Sequence, residues 1–258
     1  MEIGILIVGV LAGIMSGLFG IGGGIIMVPT LIAIFGMNML DANATSLAAM
    51  LLPVGIFGVI NYYKAGYINL KDSLWIALGL FGGSFFGAEL AVSLDVNLLA
   101  KLYAAYLLWI AVGYFDIPSY FSRNKNKNKT DGIQPKTQRA IWQFILIGVL
   151  AGVIAGMFGK GGGLVIVPIL IKFFDYDPKA ASATSLAALQ LPVGLPSVIV
   201  YAEDGHLNLL YAGLMAFGIL VGVFFGSKLA LNLSSAIFKK VYAVFLLGVA
   251  VYMVVKYI

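Results

Sequence analysis

Long apolar runs alternate with short polar punctuation along this chain, and the runs predict its elements. The first run covers about residues 3–35 and is ended by Asn38, Asp41 and Asn43. A second extends from Ala44 to Tyr63 and is interrupted by Pro53. After the polar turn Lys64-Ala65-Gly66-Tyr67-Ile68-Asn69, a third covers Ser73 to Leu94; Asp95 and Asn97 then lead into a fourth, Leu98 to Phe115. Apolar stretches of about 20 residues predict membrane-spanning helices. The only extended polar segment, 122–139, is rich in Asn and Lys and reads as a solvated linker.

Beyond the linker the same pattern returns at a constant offset of 139 residues. Ala44-Thr45-Ser46-Leu47-Ala48-Ala49 recurs as Ala183-Thr184-Ser185-Leu186-Ala187-Ala188, and Pro53-Val54-Gly55 as Pro192-Val193-Gly194. Val28-Pro29 recurs as Val167-Pro168, and Phe86-Gly87 as Phe225-Gly226. The expected organisation is an all-α integral membrane protein with two homologous four-segment halves. Residues 1–115 form the first repeat, 116–139 a basic linker, and 140–258 the second repeat. Paired halves of this kind are typical of secondary transporters.

The first run of each half carries a glycine cluster, Gly17-Leu18-Phe19-Gly20-Ile21-Gly22-Gly23-Gly24 and Gly156-Met157-Phe158-Gly159-Lys160-Gly161-Gly162-Gly163. Each glycine inside a helix costs about 1 kcal/mol relative to alanine, so three in succession predict a break. In lipid, freed backbone groups persist only where protein buries them or a polar cavity is lined. As one helix the first run would extend about 50 Å against a hydrocarbon core of about 30 Å. It is therefore either one broken, overlong span or a hairpin returning to its own side. A single span gives parallel halves, and a hairpin, re-entrant or fully crossing, gives inverted ones.

Charge placement favours inversion. With the linker cytoplasmic, the hairpin arrangement leaves only Lys101 and Lys256 outside, apart from Lys160 in the glycine loop; the parallel arrangement divides nine inside from six outside. Matched positions also swap sign, Lys64 with Glu203 and Glu89 with Lys228.

Composition narrows the function classes. The 258 residues are 61% hydrophobic and only 10% charged, with mean hydropathy +1.02, which excludes an ordinary soluble domain. The net charge of +5 does not indicate nucleic acid, because six of the 16 basic residues lie in the linker and most others flank the spans. With no cysteine and one histidine, His206, thiolate sites, iron–sulfur clusters and histidine metal sites are excluded, and no cofactor is expected. An enzyme lacks its nucleophile–base constellation. His206, beside Glu203 and Asp204, reads as a solvated loop residue, and Met1-Glu2-Ile3 lacks the basic opening of a cleaved leader.

The candidate site follows from the breaks. Small residues four apart (Gly13 and Gly17; Gly152 and Gly156) are explained by close helix packing. The triple glycines are not. Helices beginning after Gly22-Gly23-Gly24 and Gly161-Gly162-Gly163 would present free N–H groups and a positive dipole end, which suits an anion. Thr45-Ser46 and Thr184-Ser185 open the second span of each half; their hydroxyls either cap helices or donate to anionic oxygens. Two polar residues break the symmetry: Lys160 stands where the first half has Ile21, and Gln190 where it has Leu51. Lys160 either serves the substrate or snorkels to an interface. Pro53 and Pro192 are read as helix kinks that shape the cavity. Nucleotide motifs fail: Ile154 occupies the first glycine position of a P-loop, Gly161 follows the lysine, and Ile25 replaces the last glycine of a dinucleotide fingerprint.

In these doubled GLFGIGGG/GMFGKGGG and ATSLAA…PVG motifs the chain resembles the sulfite exporter TauE/SafE family of membrane permeases, over nearly its whole length. The resemblance implies a secondary transporter that moves a small anion, such as sulfite or an organosulfonate, across the cell membrane without ATP. Alternating access between the halves is the expected mechanism. The alternatives are a permease for another small solute or a metal ion, or a non-transporting membrane scaffold; a homo-oligomer is left open.

Overall fold

The computed structural model describes residues 2–19, 23–106, 140–159, 162–232 and 251. Among these residues there is no strand. The first half consists of α1 (Glu2–Phe19), α2 (Gly24–Phe35), α3 (Met39–Ala49), α4 (Ile56–Lys64), α5 (Leu70–Ser93) and α6 (96–106). The second has α7 (Ile141–Phe158), α8 (Gly163–Phe174), α9 (Pro178–Ala188), α10 (Leu195–Glu203) and α11 (Leu209–Asn232). Helices α7 to α11 begin and end at the bounds of α1 to α5 displaced by 139 residues. The repeat seen in the residues is thus a repeat of elements.

Short polar residues start these helices. Asn38 Oδ1 accepts the Asp41 amide at 2.8 Å, Asn69 Oδ1 the Asp72 amide at 3.2 Å, Asp177 Oδ2 the Lys179 amide at 2.9 Å and Asn208 Oδ1 the Tyr211 amide at 3.1 Å. Each satisfies one orphan donor of a first turn.

Among the described residues three helices are long and apolar enough to cross a membrane: α5, α7 and α11 over Leu209–Leu229. Helices α2 and α8, at 12 residues each, extend only about 18 Å. The second run of each half, expected as one span kinked at proline, is instead two helices of 11 and 9 residues. Pro53 and Pro192 lie in the connections 50–55 and 189–194 and kink no continuous helix. Around each proline the chain closes a tight turn, with Val54 N donating to Leu52 O and Val193 N to Leu191 O, both at 2.6 Å. The missing proline amide ends the helix outright instead of bending it.

The chain divides into two compact units, one of residues 1–94 and 133–232 and one of 95–132 and 233–258. In the second, Asp95 Oδ1 caps α6 through the Asn97 and Leu98 amides at 2.9 and 3.2 Å.

The first unit is built on two close helix pairs. Gly9, Gly13 and Gly17 of α1 face Gly218, Gly222 and Gly226 of α11, and Gly79, Gly83 and Gly87 of α5 face Gly148, Gly152 and Gly156 of α7. A methyl group at any of these twelve positions would meet a backbone carbonyl of the partner helix; at Gly9 the clash is with Met215 O at 2.6 Å. The register rises together in both helices of each pair, so each pair runs parallel. Large apolar side chains occupy the opposite faces at helical spacing, including Ile3, Ile7 and Leu11 on α1 and Leu74, Leu78, Phe81 and Phe85 on α5. Glycine inside and bulky apolar groups outside is the pattern of membrane bundles, where lipid and not water covers the outer face.

Within each half the second helix returns along the first. The Phe35 ring, at the end of α2, lies against Gly4 near the start of α1, and Gly23 lies against Ala12. The second half repeats this with the Phe144 and Phe174 rings at 5.1 Å and Gly162 against Ala151.

The loop before α11 also departs from expectation. His206 is not a freely solvated residue: Nδ1 lies 2.7 Å from Asp41 Oδ1 and Nε2 3.1 Å from Asp204 Oδ2, and the side chain is only 21% exposed. Asp41, supplied by the start of α3, gives the imidazole a partner 165 residues away.

Candidate functional site

The connections 50–55 and 189–194 meet in the first unit. Gly55 lies against the amide of Gln190, and Gly194 against Leu47 and Leu51. The residue exchange noticed between the halves, Gln190 for Leu51, therefore falls where the two repeats touch. Beside this crossing is a cavity of about 20 Å³ lined by Leu47, Met50, Leu80, Ser84, Gly162 and Leu189 among others, enough for one water-sized body.

The Thr-Ser pairs of α3 and α9 are all fully buried. Ser46 Oγ donates to Gly159 O at 2.7 Å, across to the last turn of α7. Two further donors converge there. Asn43 Nδ2 bonds Met157 O at 2.9 Å, and Tyr201 OH bonds Gly156 O at 2.8 Å. Gly159 itself takes φ 66°, the left-handed conformation that suits glycine at a helix end. These three side chains satisfy carbonyls that a helix C-terminus otherwise leaves orphaned. They also neutralise the negative end of the α7 dipole at the entrance to the second glycine loop. In the first half Tyr62 OH bonds Gly17 O at 3.2 Å in the same manner.

Thr184 is differently employed. Its Oγ1 accepts the Asn69 amide at a long 3.4 Å, and its carbonyl accepts from Ser73 Oγ at 3.0 Å. Thr45 Oγ1, Ser185 Oγ, Asn43 Oδ1 and Gln190 Oε1 are buried with no hydrogen-bond partner among the described residues. Gln190 Nε2 donates back to Leu186 O in the last turn of α9 at 2.9 Å.

Gly23 and Gly162 precede the first turns of α2 and α8, and Gly24 and Gly163 are the first helical residues. The amides opening these helices have no preceding carbonyl within the helix. Gly22, Lys160 and Gly161 lie outside the described residues. The structure thus brings Ser46, Thr184 and Gln190 against the other half, while Pro53 and Pro192 are exposed in the connections.

Reading the sequence overlooked Asn43, Tyr62 and Tyr201. The tyrosines carried a usable signal, since they are identical residues at the repeat offset within an apolar run. Tyr201→Phe should destabilise the protein by about 1 kcal/mol, the net worth of one buried hydrogen bond. Tyr62→Phe, whose bond is longer, should cost less. Thermal unfolding in detergent micelles measures both.

Comparison with known proteins places this architecture. Residues 5–253 match the family described as Sulfite exporter TauE/SafE. A probable membrane transporter protein of Methanocaldococcus jannaschii is 31% identical over 245 residues, covering 92% of this chain and 87% of its own length. The probable membrane transporter protein YunE of Bacillus subtilis is 26% identical, with 87% and 85% covered. A probable membrane transporter protein of Haemophilus influenzae is 29% identical, with 97% of each chain covered. No solved structure matches the chain. Apolar helices packed on glycine, doubled across two halves and matched from end to end by membrane transporters and not enzymes, make this chain a multi-pass member of the sulfite exporter TauE/SafE family.

Proposed function

We propose that the protein is a secondary transporter moving a small anion, of the sulfite or organosulfonate class, between two inverted halves by alternating access. The observation carrying the anion reading is the pair of buried helix starts at Gly23-Gly24 and Gly162-Gly163, with buried neutral hydroxyls on α3 and α9 and the buried amide of Asn43. Free amides and hydroxyls bind anions without a buried permanent charge. A metal-ion permease would need oxygen or nitrogen ligands in number, and among the described residues no group of His, Asp and Glu could hold a metal.

Inversion is supported by the direction of the helices. Asp41, at the start of α3, meets His206 in the loop that opens α11, and α11 runs parallel with α1. Five residues further on, Ser46 reaches Gly159 at the end of α7. Helix α7 therefore finishes towards the side where α1 begins. On this reading α1–α2 and α7–α8 are re-entrant hairpins whose 12-residue arms, α2 and α8, begin inside the bilayer and return to the side on which α1 and α7 begin, and the linker 116–139 lies in the cytoplasm. An inside-negative potential then expels an anion with about 2.3 kcal/mol per charge per 100 mV, with no further energy source.

The test is reconstitution in liposomes with flux of sulfite, methanesulfonate and chloride. Wild type should carry at least one of them. Thr45→Val and Lys160→Ala should each lower that flux by about tenfold or more, the loss of one hydrogen bond to a charged group. Thr184→Val should cost less, because the Thr184 hydroxyl already accepts a backbone amide. No flux of any anion, or full flux in all variants, overturns the proposal.

A further inference from the structure

We infer that His206 is a proton-operated clasp: while its ring carries both hydrogens it ties the end of α10 to the start of α3, and when it loses one the two helix ends part. The role of this clasp in transport rests on the permease reading above; the clasp itself does not. The imidazole stands between two carboxylates, one from each half. Nδ1 lies 2.7 Å from Oδ1 of Asp41, in the first turn of α3, and Nε2 lies 3.1 Å from Oδ2 of Asp204, the residue that closes α10. The other oxygen of Asp41 accepts Asn38 Nδ2 at 2.7 Å, which fixes the carboxylate in place. An ionised carboxylate only accepts, and a neutral imidazole has one N–H and one lone pair. Both contacts are therefore hydrogen bonds only in the imidazolium. In the neutral ring one nitrogen meets a carboxylate oxygen lone pair to lone pair.

Among the described residues Asp41 and Asp204 are the charged groups that face the ring, and neither has a lysine or arginine partner. The His206 side chain is 21% exposed, so it exchanges protons with the water on its own face. Imidazole changes charge between about pH 5 and 8. The matched junction, between the α4–α5 turn and the α8–α9 connection, is built differently. Tyr67 and Ala180 stand at the positions of His206 and Asp41. There Tyr176 OH donates to Asp72 Oδ2, and Ser73 Oγ to Thr184 O at 3.0 Å. Burial, and then the neighbouring Asp72, push the Tyr176 phenol far above its usual range, so it keeps its hydrogen through neutral pH. Alternating access opens two faces in turn. On the inverted reading the two junctions lie on opposite faces, and the chain's single imidazole sits at the outer one, where α11 begins. Acid outside then holds that face shut.

Paired spin labels on the full, cysteine-free chain in nanodiscs read the clasp directly. Cysteines replace Ala33 near the end of α2 and Ala202 near the end of α10, both exposed, and double electron–electron resonance measures their separation at about pH 5 and about pH 8. The separation should be single-valued in acid and should lengthen or split in alkali. The repeat-mate pair, Tyr63 and Lys172, also exposed, should not respond. His206→Gln should abolish the response, because glutamine does not titrate. Asp204→Asn should keep the clasp closed at both pH values, because an asparagine amide can donate to the lone pair of the neutral ring. In proteoliposomes with equal pH on both sides, flux of methanesulfonate or chloride, which do not titrate in this range, should be about tenfold lower in acid, the effect of one charge-assisted hydrogen bond. Both variants should level that profile. A separation that ignores pH, or that responds equally in His206→Gln or at the matched pair, overturns the inference. A responsive separation with pH-independent flux removes the clasp from the transport cycle. A responsive separation with no flux of any anion overturns the permease reading and leaves the clasp.

Discussion

Alanine at Gly83 should destabilise the protein severely, whereas alanine at Gly82, one residue earlier in the same helix, should leave it unchanged or slightly more stable. Gly83 faces α7, and a Cβ there would strike the carbonyl of Val149 and press on its Cα. Gly82 has nothing within 4 Å of the same added atom. The obstacle at Gly83 is backbone in a parallel, closely packed helix, so relief requires α5 and α7 to move apart along their whole shared stripe. Overpacking typically costs about 1–3 kcal/mol, and a clash with helix backbone belongs at or above the top of that range. At Gly82 only the intrinsic preference remains, which favours alanine by up to about 1 kcal/mol. Gly222→Ala, against Val10 of α1, should behave like Gly83→Ala, and Gly213→Ala like Gly82→Ala. Thermal unfolding and monodispersity in detergent micelles, measured for the four variants together, check the pattern. Equal effects at Gly82 and Gly83 would remove the glycine stripes from their place at the centre of the fold.

The repeat was legible because it is written in identical residues at one offset, and every helix from α1 to α5 has its counterpart at that offset. The helix starts were not: Asn38 was read as ending the first run and Asn69 as part of a turn, whereas each caps the helix that follows it. The glycine stripes were only half visible. Gly13 and Gly17 suggested close packing, but their partners Gly222 and Gly226 lie about two hundred residues along the chain, and spacing alone does not name a partner. Pro53 marked an interruption without revealing its form, because the same missing amide produces either a kink or a break. Asn43 was read as punctuation at the end of a run. Its role depends on Met157, 114 residues away, and no local pattern encodes that pairing. His206 misled for a related reason: neighbouring acidic residues suggested solvent, while the contact that half-buries it comes from Asp41 of the other half.

Cysteines introduced one at a time at Lys71 and Leu210 should react with a membrane-impermeant maleimide from opposite faces of the membrane. The two positions are repeat-mates, each the second residue of its helix, and both are exposed, Leu210 at 57%. The chain has no cysteine of its own, so the background is clean. If the halves shared one orientation, α5 and α11 would begin on the same side and both sites would label together. The contacts favour the other outcome. Tyr62, two residues before the end of α4, reaches Gly17 near the end of α1, and the turn 65–69 then opens α5 from that side. Helix α11 begins where α1 begins, since Gly9 faces Met215 and Gly17 faces Val223. Opposite labelling would also give the matched charge swaps, Lys64 with Glu203 and Glu89 with Lys228, a physical reason, because residues exposed on opposite faces answer to opposite charge preferences. Same-side labelling would make the halves parallel and leave those charge swaps without a physical reason.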